Sequence, residues 1–191
     1  PSLSFVSTAH AIMYNGGTPV FADIDPHTLC INPEEIKKKI SNKTKCIIPV
    51  HFGGIPADIK RIQKLSSSRI MIIEDAAHAC GSEFNGKKIG AHGDLVCFSF
   101  HPVKNLAMPT GGLISINNRN YKKMTEDLKS KRWCGISNRR YADYDVNKIG
   151  WNFYMNEFSA AIGLAQLEKI QKMNNKRKSI AKIYDKELNA F

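Results

Sequence analysis

Several polar residues with chemical potential stand where apolar runs end. Ile70-Met-Ile-Ile73 leads directly into Glu74-Asp75-Ala76-Ala77-His78-Ala79. Leu95-Val96-Cys97-Phe98 leads into Ser99-Phe100-His101-Pro102-Val103-Lys104, with Thr110-Gly111-Gly112 shortly beyond. Asp75 and Lys104 are 29 residues apart, yet neighbouring strands would set them side by side. Singly, each has an ordinary explanation. A strand-terminal Asp often caps a helix, one Lys among many is usually solvated, His78 can be a packed supporting residue, and His101 can cap a turn.

Together they define a chemistry. A Lys amine can hold an aldehyde as a Schiff base, and a buried Asp can keep a pyridinium nitrogen protonated. Those are the two protein groups that pyridoxal 5'-phosphate chemistry needs, with the ring acting as an electron sink. Ser99, five residues before Lys104, is placed to bind a cofactor phosphate, and Phe5 is a candidate wall for the ring. Competing systems lose support, because the chain has no G-x-S-x-G elbow, no Walker loop and no G-x-G-x-x-G.

The elements that must position these residues alternate between helix and strand. Residues 4–14 read as a helix, closed by Asn15-Gly16-Gly17, and Thr18–Ile24 reads as a strand. Asn32-Pro33-Glu34-Glu35 is a helix start: Asn can cap, Pro suits the first turn, and the acids favour the positive dipole end. Ile36 and Ile40 would share that helix's buried face. Lys45–Val50 is a short strand, His51–Pro56 a loop, Ala57–Leu65 a helix, and Asp94–Phe100 and Gly112–Asn117 two further strands. From Tyr121 onward the pattern is mainly helical, with one long stretch over Asn156–Ile170 and another after it. Strands without strict polar alternation, separated by helices, predict an α/β fold: a three-layer αβα sandwich around a mainly parallel sheet. Ligands of such sheets gather at the carboxyl ends of the strands, where Asp75 and Ser99 stand.

Composition narrows the rest. The 191 residues are 42% hydrophobic, enough for a core and against disorder. No apolar run approaches the roughly 20 residues that span a bilayer, so no membrane partner is expected. Five scattered cysteines, at 30, 46, 80, 97 and 134, have no zinc spacing. They read as reduced thiols of a cytoplasmic protein, with Cys46 and Cys97 as small buried hydrophobes and no metal. The net charge of +11 is uneven: residues 119–191 hold 16 basic and 8 acidic residues, mostly in the helical-looking stretches Arg119–Arg140 and Lys169–Lys186. A solvated helix surface explains that better than nucleic-acid binding, for no base-stacking aromatics are interleaved.

At this point the sequence resembles a known family. Phe5-Val-Ser-Thr-Ala-His-Ala-Ile12, Pro19-Val-Phe-Ala-Asp-Ile-Asp25, Ile73-Glu-Asp-Ala-Ala-His-Ala79, Gly93-Asp94, Cys97-Phe-Ser-Phe-His-Pro-Val-Lys-Asn-Leu106 and Gly111-Gly112 are similar, in order, to signatures of the DegT/DnrJ/StrS aminotransferases. So is Gly150–Gln166. These are fold-type I pyridoxal-phosphate enzymes, most of which aminate nucleotide-linked keto-sugars. The resemblance runs from about residue 1 to 170, the expected large cofactor-binding domain, and 171–191 would be a helix leading to a small C-terminal domain.

The resemblance implies roles. Lys104 would bind the cofactor covalently and move protons, Asp75 would pair with the pyridine nitrogen, Ser99 would contact the phosphate, and Phe5 would stack on the ring. His78 would lie near the ring hydroxyl. Asn152 matches an Asn that reaches the phosphate from the partner subunit, which implies a homodimer with shared sites. The amino donor would be an amino acid, glutamate by expectation, and the product an amino sugar for a polysaccharide or a glycosylated metabolite. Two departures stand out. The family's acidic, Gly-rich turn after the Lys is here Ala107-Met-Pro-Thr110, and its Gly-Thr phosphate segment lies upstream of the part matching Pro1, so the chain reads as the middle of a longer enzyme. The alternatives are a sugar dehydratase of the same family, which has His where Lys104 stands, a non-catalytic protein keeping the fold, and a nucleic-acid-binding module.

Overall fold

The structure, a computed structural model, describes residues 1–188. Its centre is a four-stranded sheet in the order β1 (Cys46–Ile47), β2 (Met71–Asp75), β5 (Leu95–Ser99), β6 (Gly112–Ile116). β1 with β2 and β2 with β5 pair in parallel, whereas β6 returns antiparallel beside β5. Between β2 and β5 the chain makes a small hairpin, β3 (Glu83–Phe84) and β4 (Lys87–Lys88), with Asn85 and Gly86 at positive φ in its turn.

Helix α1 (Val6–Met13) opens the chain. Helix α2 (Pro33–Lys39) starts as its sequence dictates: the Asn32 side chain accepts the Glu34 N–H at 2.9 Å, and Pro33 occupies the first turn. Helix α3 (Ile59–Leu65) is capped by Asp58, which accepts the Arg61 N–H at 3.0 Å. These two helices bury Ile36, Ile59 and Ile62 against Ile47, Ile70 and Ile72 of the sheet, with Ile40 packed at the margin. Burying each such side chain contributes roughly 1.5–3 kcal/mol, which fixes β1 and β2 and hence the end of β2. A second cluster, Ala76, Ala79, Ile89 and Val96, sits under the β3–β4 hairpin.

Three sequence expectations are corrected. Thr18–Ile24 forms no strand: its one ladder contact is an isolated Ile24–Ile31 bridge, and Val20 and Phe21 lie exposed, so it has no neighbour to pair with. The Arg119–Arg140 stretch is not all helix. Helix α4 (Tyr121–Arg132) gives way to a hairpin of β7 (Ile136–Arg140) and β8 (Asp143–Val146), whose geometry needs Asn138 and Tyr141 at positive φ. Lys131 and Lys148 both pair with Asp127, which ties the strand-end loop to α4 and holds that carboxyl at about 2. Finally, one 32-residue helix, α5 (Glu157–Leu188), replaces the two expected after Asn156. Residues 189–191 of the expected 171–191 segment lie outside the described residues.

Candidate active site

β2 delivers Asp75 to the carboxyl end of the sheet. The Asp75 backbone is locked on both sides: its N–H donates to Pro49 O at 2.8 Å, its C=O accepts the His51 N–H at 3.0 Å, and it pairs in register with Cys97 of β5. The half-buried side chain accepts from Thr8 Oγ1 at 2.6 Å through Oδ2 and from the Ala77 N–H at 3.1 Å through Oδ1. Ser4 Oγ in turn donates to Thr8 Oγ1 at 3.1 Å. Helix α1 is thereby docked on the sheet end, and Phe5, one turn before Thr8, is carried with it. The Phe5 ring is 72% exposed.

The next strand delivers the lysine. β5 ends at Ser99, in register with Gly112, and Phe100–Gly111 forms a loop closed by Phe100 N–H to Gly111 O (3.0 Å) and Met108 N–H to Phe100 O (2.8 Å). Inside it, the Lys104 N–H donates to His101 O at 2.8 Å. Ser99 Oγ accepts the His101 N–H only at 3.4 Å, so its hydroxyl proton remains available. Lys104 lines a cleft of about 330 Å³ with Gly53, His78, Val103, Asn105 and Arg177. A larger cleft of about 1110 Å³, between α4 and the β7–β8 hairpin, contains none of the expected site residues.

His78 is fixed by the 51–57 segment. Its Nδ1 accepts the Gly53 N–H at 3.3 Å, and its ring meets Phe52 edge-on at 6.0 Å between centroids. Burial and the positive charge of Lys104 lower its pKa, against the opposing pull of Asp75. The imidazole is therefore held towards its neutral form, with Nδ1 as acceptor and the proton on Nε2.

Beneath this cluster lies a pair that the sequence did not announce. His51 and Glu74 are both fully buried, with His51 Nε2 2.7 Å from Glu74 Oε2. His51 Nδ1 accepts the Ala57 N–H at 3.0 Å, so Nε2 carries the proton and donates to Glu74. The other Glu74 oxygen accepts the Gly93 N–H. Gly93 must be Gly, because a Cβ there would stand 2.6 Å from Glu74 Oε1 and 3.1 Å from Ile72 O. The pair fastens the 51–57 segment to β2, directly behind Asp75.

The chain thus gathers Asp75, His78 and Lys104 at one place, with Ser99 at the adjoining strand end and Phe5 one turn before Thr8, the donor to Asp75. Asn152 is not brought there: it pairs with Trp133 in an isolated bridge at the end of α4. Thr8, His51 and Arg177 are the additions that sequence reasoning missed, although Thr8 stands one helical turn from Phe5. The residues fit pyridoxal phosphate. A half-buried carboxylate using one lone pair on each oxygen can accept a ring N–H, an amine stands in the same cleft as a neutral imidazole, and a serine hydroxyl is free at the next strand end. Cys46 and Cys97 are pushed up to about 11 by burial, so neither thiol competes as a nucleophile.

Comparison with known proteins shows which folds and sequences the chain is similar to. An uncharacterized protein of Methanocaldococcus jannaschii, MJ1066, is 39% identical over 193 residues, covering 96% of this chain and 49% of the relative. The sugar aminotransferase CalS13 of Micromonospora echinospora superposes with a TM-score of 0.91 at 31% identity, covering 99% of this chain and 53% of its own. Spr1654 of Streptococcus pneumoniae in its PLP-form gives 0.89 at 29% identity, covering 97% and 52%. The chain therefore spans about half the length of these relatives. The mainly parallel α/β architecture is that of the fold-type I aminotransferases. With a family model matching all of residues 1–191, the chain belongs to the DegT/DnrJ/EryC1/StrS aminotransferase family.

Proposed function

We propose that this chain is the cofactor-binding part of a pyridoxal-phosphate-dependent sugar aminotransferase. The enzyme transfers an amino group from an amino acid, glutamate as first expectation, to a nucleotide-linked keto-sugar. The observation that carries this reading is the meeting of Asp75, His78 and Lys104 at the carboxyl ends of β2 and β5. Pyridoxal phosphate, when bound, supplies a carbonyl that takes the donor's nitrogen and a pyridinium ring that accepts the electron pair released at the α-carbon.

The chain's own residues do the rest. Lys104 Nζ would hold the carbonyl carbon covalently, and its free amine would take the proton from the donor's α-carbon. Asp75 accepts the pyridinium N–H, and Thr8 orients that carboxylate. His78 offers Nε2–H to the ring hydroxyl side, Ser99 Oγ donates to the phosphate, and Phe5 covers one ring face. Asn152, exposed and remote from its own chain's cluster, serves the phosphate of a second copy, which makes the enzyme a homodimer with shared sites. Residues 1–170 form the large domain, and the end of α5 leads to a small one. Five free cysteines suit a reducing compartment, the cytoplasm.

The test is borohydride reduction of the protein, expressed with the sequence that flanks residues 1 and 191 in its gene, in the presence of pyridoxal phosphate. Peptide mapping places the fixed label on Lys104. Labelling spread over surface lysines would overturn the assignment. Thr8→Val keeps the side chain's shape but removes the donor to Asp75. The expected loss is about 1 kcal/mol, or roughly a fivefold weaker cofactor Kd, read by spectroscopic titration.

A further inference from the structure

The cleft beside Lys104 has an unbalanced wall. Its ionisable residues are Lys104, His78 and Arg177, and no carboxylate lines it. His78 is held towards neutrality, so the wall's charge is that of the lysine and the arginine. Arg177 comes from the middle of α5, nearly a hundred residues after His78 in sequence (177 − 78 = 99).

Arg177 is oriented. Its Nη1 donates to Asn174 Oδ1 at 3.2 Å, one turn earlier on α5. Asn174 Nδ2 donates to Cys80 O at 3.1 Å, and Asn105 Nδ2 donates to the same carbonyl at 2.6 Å and to Asn174 Oδ1 at 3.4 Å. A chain of amides thus runs from the guanidinium to the residue that follows Lys104. Gly81 lets α5 come this close, for a Cβ there would meet Asn174 Nδ2 at 2.8 Å. Among the described residues no carboxylate lies within ion-pair distance of Arg177, and most of its planar fork of donors has no protein acceptor.

We propose that Arg177 binds a carboxylate of the amino-acid donor, in a subsite shared with Lys104. The inference rests on the reading of Lys104 as the site of amine transfer. A guanidinium fork matches a carboxylate bidentately. The cleft measures about 330 Å³, within the roughly 300–1,000 Å³ range of ligand pockets. The cofactor phosphate is assigned to Ser99, which does not line the cleft, so a different anion is left for Arg177. Either carboxylate of a dicarboxylic donor has the required chemistry.

The test uses the full-length protein loaded with pyridoxal phosphate and mixed with L-glutamate, following conversion of the cofactor to its amine form. In Arg177→Gln the half-saturating glutamate concentration rises about 10- to 100-fold, as expected for one charge-assisted bidentate contact. The rate at saturation changes far less. Arg177→Lys, which keeps the charge but not the fork, recovers part of the loss. L-glutamine separates the two carboxylates. If the side-chain carboxylate is read, Arg177→Gln erases the preference for glutamate over glutamine; if the α-carboxylate is read, both donors weaken equally. Borohydride labelling of Lys104 in the variant confirms that it still folds and holds cofactor. A saturation curve superimposable on wild type overturns the inference and leaves the enzyme reading intact. If wild type converts no cofactor with any amino acid, the reading of Lys104 falls, and this inference with it.

Discussion

Lys104→Ala leaves a folded protein that no longer fixes pyridoxal phosphate on borohydride treatment and transaminates at least about 10⁴-fold more slowly. Proton transfer by a positioned side chain contributes about 10²–10⁴-fold, and the same amine also provides the covalent anchor. Both are lost together. The fold survives because the side chain is half-buried on a loop whose closure depends on Phe100, Met108 and Gly111 rather than on the lysine. Lys104→Arg keeps the charge, but its guanidinium is a poor nucleophile, so it behaves like the alanine variant. An added small primary amine restores part of the rate to Lys104→Ala and none to wild type. Single-turnover absorbance measurements read all three. Activity of Lys104→Ala within tenfold of wild type would remove Lys104 from the mechanism.

Glu74→Ala has the largest expected effect on stability. The carboxylate is fully buried and accepts from His51 Nε2 and from the Gly93 N–H. Truncation leaves both donors buried without an acceptor and a cavity where the side chain stood. Each buried donor left without an acceptor costs about 1–3 kcal/mol, and the cavity adds to that, against a total of roughly 5–15 kcal/mol for a domain. Glu74→Gln does not rescue, because two donors face the site and the amide can satisfy only one of them. His51→Ala and Glu74→Ala share the same contact, so their double variant costs less than their sum. Urea unfolding with matched slopes gives the numbers, and a shift below about 1 kcal/mol for Glu74→Ala would show the pair to be incidental.

Much of the site could be read from the chain because strand ends announce it. Apolar runs stop at Ile73 and Phe98, and the polar residues behind them stand where a parallel sheet presents ligands. The Asn32 cap and the Ile36 face were equally local and came out as expected. What stayed hidden depends on distant partners. Thr8 matters through Asp75, 67 positions away, and Glu74 through His51, 23 positions away. The β7–β8 hairpin was missed because Ile136-Ser-Asn-Arg-Arg140 buries no face, and an unburied strand shows no period-2 pattern. The expected division after Ile170 does not occur, and Asn174-Asn175 does not break the helix either. Asn competes with helix locally, but Asn174 spends its side chain on Cys80 O, and the helix runs through.

The antiparallel return of β6 has a consequence for how the lysine can vary in its surroundings. Because β5 leaves and β6 re-enters the sheet at the same edge, the Phe100–Gly111 segment is a staple with both feet in the ladder. Its ends are held whatever the tip contains, and doubling the length of such a loop costs only about 0.6 kcal/mol in closure entropy. Ala107-Met-Pro-Thr110 can therefore replace a different turn without moving β5 or β6. The far turn of the Lys104 loop is thus open to change, and insertions at Pro109-Thr110, both exposed, should leave the register of the strands untouched.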